Sequence, residues 1–396
     1  KVAIFFLKTM IDTNRLEQSL LQPLLNMQED WSNQSVLNQI SLMPLPPEFD
    51  LAKVSEEIHS GIVFVYIEGE QDIIRYPLQH HEKRSLETAQ TESIVIGPKI
   101  SFSESLEANI NILRWRIKTP DFVIERMSIG KTAPRELILC YMKSIANEDD
   151  VNTMRQRILD LDMNMVEDTM LLKQAIEDKQ FSLFPQFDAT ELPDRFIYGI
   201  TTGKVGVIVD NSPMSFLAPA NLFTFMEATE DLFLRWNTAI FLRWTRFIAI
   251  FISVLVTPFY VAFVTYQFGF IPMTLLLSIG QSRVAVPFPP VMEALLLEFL
   301  IEVLREGGAR LPTKVGQTMG VVGGIVVGQA VVQAGLTSNI LIIIVAVSTL
   351  SSFTCPSYLL GTTIRLIRFP FIFLAATLGL FGIMIGLSFT ILHLLR

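Results

Sequence analysis

Four of the six ionisable residues between positions 293 and 312 interrupt an apolar run of membrane length. These are Glu298, Glu302, Arg305 and Glu306. At about 100° per residue of an α-helix, all four lie on one face about 100° wide. Ionisable groups at hydrocarbon depth are costly, so they usually face a bundle interior or a water-filled cavity. Rings of acidic side chains are a common lining of cation paths, and this face is therefore a candidate ion path or gate.

Three interpretations of this charged face remain open from the sequence. The face lines a pore, belongs to a buried ion-pair network, or lies in the membrane interface on an amphipathic helix. Arg305 follows Glu302 by three residues, a spacing at which helical side chains can pair. That pair leaves the face with excess negative charge. Glu293 falls on the opposite face of the helix, and the pattern assigns it no role.

Glycines recur with a period of four shortly after this helix. They are Gly316, Gly320, Gly324 and Gly328. On a helix this spacing forms a smooth groove, and small residues let neighbouring backbones approach closely in a membrane. The pattern predicts a tight helix–helix contact, either within one chain or between subunits.

Other recognisable arrangements of reactive residues are missing from the sequence. Cys140 and Cys355 lie in different halves of the chain, and the four histidines form no metal-ligand pattern. There is no glycine-rich phosphate loop, nucleophile elbow or histidine-based triad. We therefore expect no enzyme, no cofactor and no metal. Dispersed basic residues and an acidic balance argue against nucleic-acid binding.

Charge and hydropathy divide the chain into two unlike parts. Residues 1–246 carry 24 Lys and Arg against 35 Asp and Glu, whereas residues 247–396 carry 7 against 4. The net charges are −11 and +3, which together give the −8 of the whole chain. Half of all residues are hydrophobic, and the mean hydropathy is +0.43. This division predicts an acidic soluble region followed by a membrane domain.

Long uncharged runs in the second part predict membrane helices. About 20 apolar residues cross a bilayer core. We expect spans at 247–268, 315–335, 339–360 and 369–395, a charged helix at 288–306, and half of a broken span at 270–280. The total is five or six membrane helices. Arg243 and Arg246 precede the first span and predict a cytoplasmic soluble region.

An internal repeat organises the first part. Residues 2–16 align with 137–151 at an offset of 135, and residues 61–69 align with 203–211 at an offset of 142. Each unit reads as a strand, helices and a two-stranded hairpin. The predicted fold is an α/β soluble region of two related subdomains followed by an all-α polytopic membrane domain. We predict four parts: subdomain 1 at 1–96, a connecting helix at 97–122, subdomain 2 at 123–230 and the transmembrane domain at 231–396.

Long ordered motifs place the chain near a known family. They are residues 286–338, beginning "VPFPPVMEALLLEFL", residues 351–358 "SSFTCPSY", residues 365–371 "RLIRFPF" and residues 203–220 "GKVGVIVDNSPMSFLAPA". Together they resemble the A subunits of GerA-type spore germinant receptors. Leu192 departs from the family, which usually has Arg before the Pro-Asp-Arg motif, and we expect a changed surface contact there.

The resemblance implies a function and a set of partners. Such A subunits lie in the inner membrane of bacterial endospores as multi-pass proteins. They work with a permease-like B subunit that binds the nutrient and with a C-subunit lipoprotein. The resemblance further implies a homo-oligomer, a pentamer, that forms a nutrient-gated cation channel surrounded by membrane lipid. Its opening releases monovalent cations and starts germination.

Other functional classes stay open at this stage. One is a non-conducting membrane scaffold or signal transducer. Another is an amplifier of the germination signal like the SpoVAF-type relatives of the same family. A third is a secondary transporter with its broken helix at 270–280.

Overall fold

The computed structural model describes most of the chain. The described residues are 2–27, 31–46, 54, 57–58, 61–70, 72–78, 92, 96–179, 181–311, 324, 326 and 328–395. The chain divides into two compact units, one of Lys1–Phe181 and Gln186–Asn221, the other of Ser182–Pro185 and Leu222–Arg396. The second unit thus begins ahead of residue 231, where we predicted the transmembrane domain to start.

The first unit contains two antiparallel sheets. The smaller has the order β1-β2-β3 and the larger the order β4-β5-β7-β8-β6. The strands are β1 Val2–Phe5, β2 Ile62–Ile67, β3 Ile74–Pro77, β4 Phe122–Ile129, β5 Arg135–Met142, β6 Asp188–Thr190, β7 Val205–Val209 and β8 Ser215–Ala218. The helices are α1 Thr13–Leu16, α2 Gln22–Leu25, α3 Asn33–Gln39, α4 Leu106–Arg116, α5 Glu148–Leu159, α6 Thr169–Ile176 and α7 Pro193–Thr201.

The strand register reproduces the predicted repeat. Val2 pairs with Ile67 in the small sheet, and Leu137 pairs with Val209 in the large one. Leu137 follows Val2 by 135 residues and Val209 follows Ile67 by 142, which are the two predicted offsets. The following hairpins agree as well, because Val63 pairs with Tyr76 and Val205 pairs with Ala218. The second copy is extended by β4 on one side and β6 on the other.

Helices cover both faces of the large sheet. Strand residues that point one way, such as Leu137 and Leu139, pack with α5 and α6. Their neighbours Ile138 and Cys140 point the other way and pack with α4 and α7. This alternation is what a pleated strand requires. Burial also raises the pKa of the Cys140 thiol.

Two details of this unit follow from close packing. A Cβ atom at Gly206 would lie 2.3 Å from the ring of Phe196, so only glycine fits beneath α7. Leu192, which precedes α7, is fully buried. The side chain of Leu192 thus packs in the interior, and the expected difference in a surface contact near it stays a prediction.

The second unit is helical. The helices whose two ends lie in the described residues are α8 Trp236–Thr265, α9 Met273–Arg283, α10 Pro290–Ala309, α11 Asn339–Ser352, α12 Tyr358–Leu378 and α13 Leu380–Leu395. Among the described residues, two helices, α8 and α12, are long and apolar enough to cross a membrane, while α11 and α13 are apolar but shorter. The prediction of five or six membrane helices is not confirmed.

Two predicted spans have the wrong boundaries. The run at 339–360 breaks between Ser352 and Tyr358, and the run at 369–395 is divided at Gly379. Gly379 ends α12 with a φ of 63°, a left-handed conformation that glycine adopts readily. Arg365 and Arg368 misled the prediction, because they lie inside α12 rather than between helices.

Candidate functional site

The charged face predicted at 293–312 lies on α10. The helix begins at Pro290, the first residue after the N-cap Pro289, where the missing N–H of proline costs nothing. Twenty residues give a length of about 30 Å, enough to cross a bilayer core. Each charged side chain of this face has a described partner, and the partners differ along the helix.

Glu298 is locked inside the helical unit. Its side chain is 3% exposed and forms an ion pair with Arg368 of α12. The hydroxyl of Thr257 on α8 donates to the same carboxylate at 3.0 Å. Arg368 also donates to the hydroxyl of Ser253 at 2.7 Å, and the hydroxyl of Ser348 on α11 donates to the carbonyl of Ser253 at 2.7 Å. Four helices, α8, α10, α11 and α12, therefore meet at one buried polar cluster, in which Nε of Arg368 has no hydrogen-bond partner among the described residues.

Glu302 lies one turn further along α10 and pairs with Arg365 at 3.3 Å. The later acidic residue of α10 thus pairs with the earlier arginine of α12. The two helices are therefore antiparallel and are joined by two successive ion pairs, which we call rungs. The side chain of Glu302 is 40% exposed, whereas that of Arg365 is 14% exposed. This rung therefore opens to the surface on its acidic side.

Arg305 does not pair with Glu302 as the spacing suggested. Its guanidinium donates to the hydroxyl of Ser352 at 3.2 Å and lies 4.4 Å from the ring centroid of Phe353, a cation–π distance. Two of its nitrogens, Nε and Nη1, are buried and have no hydrogen-bond partner among the described residues. Glu302 pairs with Arg365 of α12 instead, which is why it does not pair with Arg305.

Glu306 is the last residue of the charged face, and it is exposed to solvent. Its side chain is 63% exposed and pairs with Arg310 four residues later at 2.5 Å. Exposed pairs of this kind contribute little to stability. The four residues thus grade from a buried ion pair at Glu298 to a surface carboxylate at Glu306. We name Glu302 and Glu306 the open carboxylates.

The sequence pattern missed the role of Glu293. This carboxylate is fully buried and lies 3.0 Å from a guanidinium nitrogen of Arg283 on α9. It also accepts the backbone N–H of Ser338, the N-cap residue of α11, at 3.1 Å. A carboxylate at a helix N-terminus is favoured by the helix dipole. Glu293 therefore ties α9, α10 and α11 together.

A second buried carboxylate anchors the start of α8. Asp231 accepts two hydrogen bonds from Arg246, at 2.6 and 2.9 Å, and one from Nε of Arg243 at 3.2 Å. The backbone N–H of Ala228 donates to it at 3.2 Å. The cluster fixes the segment before α8 against the first turns of that helix.

The glycine groove is only partly described. Gly316 and Gly320 lie outside the described residues. At Gly324 and Gly328 an added Cβ would meet no atom within 4 Å. Within the described part of one chain nothing packs against these two positions, so the predicted close contact stays a prediction and concerns another subunit or undescribed residues.

The first unit contains a buried ion pair, Asp188–Arg195, whose side chains are 3% and 9% exposed, and a more open one, Glu125–Arg155. Glu125 on β4 accepts two bonds from Arg155, at 2.7 and 2.9 Å, and one from the hydroxyl of Tyr141 at 2.6 Å. The hydrogen bonds from Arg155 lower the pKa of Glu125. Among the described residues, no group of three or more His, Cys, Asp or Glu side chains could hold a metal ion.

One signal in the sequence points to the residues that the prediction missed. Arg365 and Arg368 are spaced by three, and Glu298 and Glu302 by four, as residues on one helix face are. An apolar helix with acidic residues at such spacing can pair with an apolar helix that carries basic residues at similar spacing. Both arginines fall between the predicted spans 339–360 and 369–395, and the structure places them inside α12.

Comparisons with known proteins show the family of the chain. The family described as "Bacillus/Clostridium GerA spore germination protein" matches residues 1–396. The spore germination protein GerQA of Bacillus cereus is 40% identical over 403 residues, which cover 100% of this chain and 79% of the relative. The uncharacterized membrane protein YfkQ of Bacillus subtilis (strain 168) is 31% identical over 396 residues, which cover 99% and 77%.

One solved structure is also similar. It is the crystal structure of the N-terminal domain of the A subunit of the Bacillus megaterium spore germinant receptor GerK3, which is 25% identical to this chain. The match has a TM-score of 0.42 and covers 55% of this chain and 82% of the other. From the family match over its whole length, the chain belongs to the GerA family of spore germination proteins.

Proposed function

We propose that the chain is the A subunit of a germinant receptor in the spore inner membrane, and that several copies surround a nutrient-gated cation path. The observation that carries the proposal is the pair of open carboxylates on α10. Their side chains are 40% and 63% exposed on a helix of membrane length. Charged groups at this depth need water or a protein partner, and a lumen between copies supplies water.

The geometry gives each residue of the face a part in this proposal. The Glu298–Arg368 pair and the Glu302–Arg365 rung hold α10 against α12, so the wall of the path is fixed. The open carboxylates then provide a negative potential that attracts cations and excludes anions. Arg365 offsets part of the charge of Glu302, whereas Arg310 next to Glu306 is itself exposed to solvent.

Partners follow from the family. We propose a homo-oligomer, a pentamer, together with a permease-like B subunit that binds the nutrient and a lipoprotein C subunit. Nutrient binding would open the path, and cation release would start germination. The acidic α/β region would lie on the cytoplasmic side, the spore core.

Cation flux from proteoliposomes tests the proposal. The variant combines Glu302→Gln and Glu306→Gln, which removes two negative charges and keeps side-chain size. The matched control combines Glu148→Gln and Asp149→Asn, an equal charge change on the exposed start of α5. We expect the first variant to lose most of its preference for cations over anions and the control to keep it. Unchanged selectivity in the first variant would contradict the pore role.

A second candidate function is a non-conducting transducer, including an amplifier of the SpoVAF type. The observation that favours it is the complete burial of Glu298 against Arg368, since a buried neutral pair supplies no charge to a lumen. In that case the unmodified protein gives no cation flux in liposomes, and the Gln variants change only binding to partner subunits.

A further inference from the structure

An apolar cavity of about 170 Å³ lies between α8, α12 and α13. Its walls include Val254, Leu255, Ile364, Phe371 and Leu387. The one lining residue with a polar side chain is Thr390, and its hydroxyl already donates to the carbonyl of Gly386 at 2.9 Å. The cavity therefore offers an occupant contacts with carbon atoms alone.

The size and lining of this cavity select an apolar occupant. A cavity of about 150 Å³ lined by Leu, Ile and Phe stays free of water and takes up apolar molecules. Water needs two or more polar partners to stay in such a space, and the lining offers none that is unpaired. The most abundant apolar groups around a membrane helix are lipid acyl chains.

A second pocket of about 290 Å³ continues from the first. The two share the side chains of Met226 and Phe247. The second pocket is amphipathic, because Trp244, Arg243 and Glu227 line it as well. The side chains of Arg243 and Glu227 are 42% and 39% exposed, and they lie 3.5 Å apart. One cation and one anion thus stand at the mouth of an apolar space.

The course of α8 places this mouth at the headgroup layer. Trp236 and Trp244 are exposed on its first turns, and from Phe247 onward the helix has no charged residue. Tryptophan and arginine collect at the membrane–water interface. On α8 the walls of the apolar cavity run from Phe247 to Leu255, about 12 Å deeper along the helix axis.

We propose that this double pocket binds one phospholipid of the phosphatidylethanolamine class. A segment of one acyl chain enters the apolar cavity, the phosphate lies at Arg243, and the ammonium lies at Glu227. Charge complementarity selects the zwitterionic headgroup, since the mouth offers both signs. The Arg243–Glu227 pair is exposed and therefore weak, so each partner can exchange for the headgroup. Asp231 keeps its charge matched by Arg246 in that exchange. The site does not depend on the proposed cation path.

Native mass spectrometry of the purified chain in detergent tests the site. The probes are dioleoyl phosphatidylethanolamine, dioleoyl phosphatidylglycerol and dioleoylglycerol, each added at equal concentration to the unmodified protein. These share their acyl chains and differ in the headgroup. We expect one phosphatidylethanolamine per chain, held about tenfold more tightly than the other two.

Variants separate the two halves of the site. Leu387→Phe fills part of the apolar cavity and should reduce the bound lipid about tenfold. Glu227→Gln leaves the cavity intact and should reduce the preference for phosphatidylethanolamine about threefold. Ile343→Phe is the control, because Ile343 is 63% exposed on α11 and lines neither pocket. It should bind lipid as the unmodified protein does.

Three results would overturn the proposal. Equal retention of all three lipids would show that the headgroup is not recognised. Retention that Leu387→Phe leaves unchanged would place the lipid elsewhere. No retained lipid, together with a smaller oligomer for Leu387→Phe, would show that a neighbouring copy of the chain fills the cavity.

Discussion

Two ion pairs, one from each compact unit, hold their charged side chains in different ways. In the α/β unit, Glu125 and Arg155 form a bidentate pair whose side chains keep 29% and 31% of their surface exposed. In the helical unit, Glu298 and Arg368 are 3% and 4% exposed. Water can replace either partner of the first pair, whereas the charges of the second pair contact only protein groups.

This difference predicts where a lost charge is tolerated. A partner removed from an exposed pair is replaced by solvent, whereas a partner removed from a buried pair leaves an uncompensated charge in a medium of low dielectric. The same reasoning divides α10 itself into a locked part, with Glu293 and Glu298, and the open carboxylates.

The largest effect should follow from Arg368→Met. The change leaves Glu298 buried without its cation, and we expect a loss of about 3–5 kcal/mol in the free energy of unfolding. Thermal unfolding in detergent measures it. Adding Glu298→Gln to Arg368→Met removes the orphaned charge and should restore most of the loss. An Arg368→Met variant as stable as the unmodified protein would contradict the distinction between the buried and the exposed pair.

In the α/β unit a smaller effect should come from packing. Gly206→Ala brings a Cβ atom to 2.3 Å from the Phe196 ring, and overpacking of this kind costs about 1–3 kcal/mol. Circular dichroism during thermal unfolding measures it. Gly280→Ala on α9 is the control, because nothing lies within 4 Å of a Cβ there and alanine favours a helix. Equal loss in both variants would contradict the packing argument.

A smaller effect, with a defined pH dependence, is expected for Glu125→Gln. The hydrogen bonds from Arg155 lower the pKa of Glu125, so the pair stabilises the fold above the ordinary glutamate pKa of about 4.3. That contribution is lost as the pH falls through the lowered value. At pH 7 the variant should lose about 1 kcal/mol, and in acid the two proteins should converge. Unfolding curves from pH 7 to pH 3 that stay parallel would contradict this assignment.

The smallest effect should follow from Glu306→Gln. Its pair with Arg310 is exposed, so the free energy of unfolding should change by less than about 0.5 kcal/mol. Thermal unfolding of Glu306→Gln, measured under the same conditions as that of Arg368→Met, compares the exposed pair with the buried pair of the helical unit. A loss as large as that of the buried pair would mean that Glu306 is buried in the assembled protein.

Much of the α/β unit could be predicted from the sequence, because strand patterns and repeats are local signals. The offsets of 135 and 142 reappear as the pairing of Val2 with Ile67 and of Leu137 with Val209. The burial of Leu192 could not be read in the same way, since the sequence does not say which loop residue turns inward.

The helical unit was predicted less well, because partners there are distant in sequence. The sequence predicted the face with Glu298 and Glu302. The arginines that pair with it, Arg365 and Arg368, lie on α12, although they fall between two predicted spans. Gly379 looked like any glycine of a membrane helix, although its left-handed backbone divides α12 from α13. Hydropathy gives the length of an apolar run, but it does not show which charged residues within the run are paired.

Cysteine accessibility along one row of α10 tests the central claim most directly. Positions 294, 298, 302 and 306 repeat every four residues, and their exposure rises from buried Ala294 to Glu306. In a Cys355→Ser background, where buried Cys140 stays unreactive, single cysteines at 294, 302 and 306 are treated with a charged thiol reagent in intact membranes. We predict labelling at 302 and 306 at least about tenfold faster than at 294. Equal rates at the three positions, or protection at 302 and 306, would contradict an α10 whose open carboxylates face water.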